Sequence, residues 1–145
     1  MASTTTGTYA RPSSATLLRT RALAVASAAV ANAALWVIEV PLLGLHLGIR
    51  FGGGAAQTIA LGFIIGATLS ASLVGCALLA VLERRTASAR TIWTAVAAVA
   101  LIASLSLPLY AGIAGSTKVG LGAMHLAAAA ILIPTLRATS APRNI

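Results

Sequence analysis

"ALAVASAAVANAALWVIEVPLLGL", residues 22–45, holds one charged side chain, Glu39. As an α-helix this stretch would rise about 36 Å, more than the roughly 30 Å of a bilayer's hydrocarbon core. It therefore reads as a membrane span. Three further runs qualify on the same ground: about 55–82, approached through glycines 52–54, then 91–113 and 119–136. The last is the shortest, about 27 Å of helix. The expected fold is all-α: a four-transmembrane-helix bundle with short loops, occupying residues 21–137.

Composition supports this. Charged residues are 8% and hydrophobic residues 59% of 145, with a mean hydropathy of +0.96. Soluble domains carry roughly 25% charged residues. The net charge of +8 comes from ten basic residues that flank the apolar runs rather than gathering around aromatics. Nucleic acid is therefore not an expected partner. Cys76 is the single cysteine, so neither an intrachain disulfide nor a cysteine metal site can form. It reads as a small packing residue.

The basic residues also set an orientation. Arg11, Arg19, Arg21, Arg84, Arg85, Arg90, Arg137 and Arg143 fall on one side of the spans, Arg50 and Lys118 on the other. By the positive-inside rule both termini and the loop "LERRTASAR" (82–90) are expected in the cytoplasm, with the protein in the plasma membrane. Residues 1–20 and 138–145 read as tails, the first of them disordered. Trp93 falls where an interfacial aromatic would sit. "ANA" at 31–33 resembles a signal-peptide cleavage site, but the apolar run continues well past it, so an uncleaved span is expected. "VPLLG" (40–44) and "LPLYAG" (107–112) each end an outward-going span, the mark of a faint two-hairpin repeat.

"RFGGGAAQT" (50–58), "LLAVLERRTASAR" (78–90), "IWT" (92–94) and "MHLAAAAILIPTLR" (124–137) resemble, in order and spacing, a group of small actinobacterial integral membrane proteins. That group is known only as a domain of unknown function. The resemblance runs from about Arg19 to Arg137. It implies four membrane helices and no assigned activity, and it carries no site residue with it.

The polar residues within the spans are few. Glu39 shares a helix face with Asn32, seven residues earlier, and Pro41 frees the carbonyl of Val37. Glu39, Gln57, Thr58, Ser106, Tyr110 and His125 all come out near the outer end of their spans, as a candidate outer-leaflet polar cluster. Within it Glu39 is expected to meet His125, directly or through one water, and His125's helix face is flanked by small Gly122 and Ala129. The bland reading of the cluster is that polar residues collect near span ends, where water is close. Gly62, Gly66 and Ser70 recur every four residues, the spacing of a close helix-packing face inside the bundle or, less directly, of a homodimer. Arg84, Arg85 and Arg90 would attract anionic lipid headgroups at about 1 kcal/mol each.

No Asp is present, and no nucleophile elbow, paired His ligands, Ser-His-acid set or phosphate loop can be assembled. The expected function is therefore non-enzymatic, without cofactor or metal: a structural protein, or an accessory to a membrane complex. The alternative is a small proton- or cation-coupled transporter using Glu39.

Overall fold

The computed structural model describes residues 13–140. Four helices fill it: α1 (Ser14–Val37), α2 (Leu61–Arg85), α3 (Ala89–Ala111) and α4 (Gly115–Ala138). Each is long and apolar enough to cross a membrane. They form an up-and-down ring in which α1 packs on α2 and α4, and α3 packs on the same two, with α2 and α4 touching at few points. Large apolar side chains such as Val30, Leu73, Ile102 and Val119 stay well exposed, as a helix surrounded by lipid requires.

The first helix begins earlier than the apolar run. Ser13 accepts a hydrogen bond from the Thr16 amide at 3.2 Å, capping α1 at Ser14. Residues 14–20, expected in a disordered tail, are therefore helical. The rest of that expectation, with Arg11, Arg143 and most of the C-terminal tail, lies outside the described residues. At its far end α1 widens into a π-helical turn, Ile38–Leu42, around Pro41. Proline has no amide hydrogen to donate to Val37, and the wider register takes over: the Leu43 amide reaches the Ile38 carbonyl at 3.0 Å. Gly44, at φ 65°, then ends the turn in the left-handed region.

The connection from α1 to α2 is a folded cap. Strands β1 (Gly48–Ile49) and β2 (Gln57–Thr58) pair antiparallel. β1 also binds the α3–α4 turn, through the Arg50 amide to Ala111 O at 2.9 Å and the Ile113 amide to Gly48 O at 3.1 Å. The Trp36 indole donates to Ile59 O at 3.1 Å, and the Thr117 hydroxyl to His46 O at 3.1 Å. Leu47, fully buried, plugs this end together with Ile59, Ile64, Leu121 and Met124.

The end at which α1 begins and α4 finishes is closed by charge. Arg21 on α1 makes a fork to Glu83 on α2 (2.7 and 3.2 Å) and reaches the carbonyl and hydroxyl oxygens of Thr139 at 2.7 and 3.3 Å. Arg90 on α3 donates to Ser140 O at 3.2 Å. Glu83 thus belongs to the last turn of α2 rather than to a loop. Thr139 and Ser140, expected in the tail, are buried beneath the two arginines.

Gly62, Gly66 and Ser70 do not pack inside the bundle. All three are exposed, and a Cβ at either glycine would meet nothing within 4 Å. The buried row of α2 is Ile64, Thr68 and Ser72, on the opposite face. Gly62→Ala and Gly66→Ala are therefore expected to leave the unfolding free energy in detergent unchanged or to raise it, by up to about 1 kcal/mol from helix propensity. A clear loss in either variant would mean that another surface covers this face.

Candidate functional site

Alanine makes the site. Along the inner faces of α2, α3 and α4 stand Ala67, Ala71, Gly75, Ala97, Ala100 and Ala128, too short to meet across the ring. They leave a cavity of about 500 Å³. Its upper end lies under Ile49, Phe51 and Ile59 of the cap, its lower end above Trp93 and Leu136. Trp93 is 4% exposed and donates to Gly75 O at 2.8 Å, so it is a buried wall and not the interfacial aromatic its position suggested.

The cavity's walls carry no Asp, Glu, Lys or Arg, and their polar groups form a belt near mid-height: Asn32, Thr68, Ser72, Ser104 and His125. Asn32 Nδ2 donates to Thr68 Oγ1 at 2.9 Å, while Asn32 Oδ1 is buried with no partner. The Ser72 hydroxyl donates to Thr68 O at 2.6 Å and the Ser104 hydroxyl to Leu101 O at 2.8 Å. His125 Nδ1 lies 2.6 Å from Leu121 O. A carbonyl can only accept, so Nδ1 carries the proton and Nε2 is left as an acceptor in the neutral ring.

Glu39 sits apart from this belt. It is 7% exposed, and its carboxylate rests against Gly120 of α4, where a Cβ would come within 2.6 Å of Oε2. Oε2 is buried without a hydrogen bond. His125 is five residues further along α4, about 140° around that helix, and is turned to the cavity. A direct Glu39–His125 pairing is therefore not formed. Asn32, in contrast, lies about 10 Å down α1 from Glu39, and His125 about 7.5 Å down antiparallel α4 from Gly120. Asn32 and His125 thus share one level.

The remaining candidates do not converge. Gln57 and Thr58, expected at the start of the second span, form β2 and are exposed. Ser106 is exposed, its hydroxyl turned back to Ala103 O at 2.6 Å, and Tyr110 is 78% exposed. These four lie on the outside of one end of the bundle because α2 starts only after the cap and because the outer face of α3 carries both of its residues. Thr68, Ser72 and Ser104 were missed. The signal for the first two was the Ile64–Thr68–Ser72 row, opposite the glycine row in the same helix.

Residues 12–142 match the model of a family described only as a family of unknown function, DUF6069. Neither curated proteins nor solved structures give a match.

Proposed function

The chain belongs to this family of unknown function, and we propose that it is a non-catalytic membrane protein that holds a lipophilic molecule between α2, α3 and α4. The observation that carries this is the cavity itself. Its volume of about 500 Å³ falls within the roughly 300–1,000 Å³ of small-molecule sites. A partner's transmembrane helix, about 10 Å across and 30 Å long, would need roughly 2,000 Å³. The space therefore suits a single chain-like or compact apolar molecule. With its arginine-rich end at the cytoplasmic face of the plasma membrane, where Arg84, Arg85 and Arg90 meet anionic headgroups, the cavity is reached from within the bilayer.

Trp93 makes the test direct, because it is buried and faces the cavity. A bromine-bearing alkyl amphiphile should quench the tryptophan emission of the detergent-solubilised protein saturably. The Ala100→Leu/Ala128→Leu variant, with the cavity filled, should stay folded and lose the saturable component. Equal quenching of both proteins would remove the cavity as a binding site.

A second reading is favoured by one observation, the buried and unpartnered Glu39 Oε2. Glu39 would then take up and release a proton or cation while the protein transports its ligand. Ligand-dependent proton release that is lost in Glu39→Gln supports this reading. A ligand that binds with no proton release leaves the protein as a holder or as an accessory to a complex.

A further inference from the structure

We propose that the polar belt selects a neutral lipophilic alcohol, whose hydroxyl binds at Asn32 and His125 while its hydrocarbon part fills the cavity. This rests on the reading of the cavity as a ligand site.

The amide of Asn32, the hydroxyls of Ser72 and Ser104 and the Nδ1–H of His125 all donate to protein atoms already. Beyond these the belt leaves two acceptors, and as donors the second N–H of Asn32 and the Thr68 hydroxyl, for which no bond to a protein atom is seen. Asn32 Oδ1 is buried without a partner, on a residue only 5% exposed that faces the cavity. His125 Nε2 is the second acceptor, at the same level of the bundle and on the opposite side of α4 from Glu39. Buried polar groups go unpaired rarely, because desolvation without a partner is unfavourable. The occupant of the cavity must therefore bring a hydrogen-bond donor to this level.

Charge narrows the class further. With neither Glu39 nor Glu83 nor any Arg or Lys in the walls, the cavity offers no counter-ion to an ammonium or to a carboxylate. An ion there would be desolvated without compensation. A hydroxyl is the neutral group that fits best. It donates to Asn32 Oδ1 or His125 Nε2, and its own oxygen can accept from the Thr68 hydroxyl, whose oxygen already takes the Asn32 amide. The surrounding surface is almost wholly apolar, aliphatic with Phe51, Phe63 and Trp93 among it, so the rest of the molecule must be hydrocarbon.

The test compares four probes that share one long alkyl chain: the primary alcohol, its methyl ether, the fatty acid and the trimethylammonium salt. Binding to the full-length protein is measured by native mass spectrometry in an amine-oxide detergent, which has no hydroxyl to compete. The alcohol should bind about fivefold or more tightly than the ether, the difference expected for one hydrogen bond, and more tightly than both ions. Asn32→Val should remove the preference for alcohol over ether while leaving ether binding in place, and His125→Phe should reduce it. The wild-type comparison needs no variant to fold. Equal binding of alcohol and ether, or tighter binding of either ion, would overturn the alcohol selectivity and leave the cavity as an unselective apolar site. Failure of all four probes to bind would overturn the ligand site itself.

Discussion

Arg21→Ala is expected to lower the unfolding free energy in detergent by about 3 kcal/mol, among the largest single-residue losses in this protein. The reason is the number of elements that one guanidinium joins. From α1 it makes two bonds to Glu83 at the end of α2 and two to Thr139 at the end of α4. The pair is nearly out of solvent, with side chains 12% and 16% exposed. An exposed ion pair would be worth under about 1 kcal/mol, and most such pairs less. Here removal of one partner takes the bidentate fork from the Glu83 carboxylate and one of the cations from the end of α4. Arg85→Ala, at the exposed end of α2, should change stability by no more than about 0.5 kcal/mol. Chemical or thermal unfolding of the two variants decides the matter: equal effects would reduce the clamp to a surface charge.

The second expected result concerns Gly120. Gly120→Ala should cost about 1–3 kcal/mol, the usual range for overpacking, because its Cβ would lie 2.6 Å from Oε2 and 2.9 Å from Cδ of Glu39. The carboxylate sits at the tip of its side chain and can move, so a loss at the lower end of that range is expected. In the Glu39→Ala background the same substitution should be nearly neutral, since the clashing atoms are gone. That non-additivity is the decisive measurement. A Gly120→Ala loss that persists without Glu39 would mean that the glycine serves the backbone and not the carboxylate. The contrast with Gly62 and Gly66, where a Cβ meets nothing, falls within a single protein.

Asn32, Glu39 and His125 stood out in the sequence because a polar side chain in a membrane span needs a reason. That much is legible from type alone. Their partners were not. Glu39 and His125 fall at similar depth in the sequence, yet the helix turns them to different neighbours: Glu39 to Gly120, His125 to the cavity. Glu83 looked like part of a charged loop because α2 outlasts its apolar run, and Arg21 looked like a topological charge because its three helix ends meet only in the fold. The cap of residues 43–60 was hidden by its apolar composition, which continued the pattern of the spans on either side.

What the sequence by itself determined was the number of spans, their approximate limits and the asymmetry of basic residues between the two sides. Length and polarity decide these, since about 20 apolar residues are needed to cross a bilayer whatever they touch. What only the tertiary structure decided was which face of each helix turns inward. In water the hydrophobic face of a helix is the buried one, so periodicity reveals it. In lipid both faces are apolar, and association depends on side-chain fit and a few hydrogen bonds instead. The same small residues therefore line a lipid-exposed surface at Gly62 and Gly66, make room for a carboxylate at Gly120, and leave a cavity open at Ala67, Ala97 and Ala128.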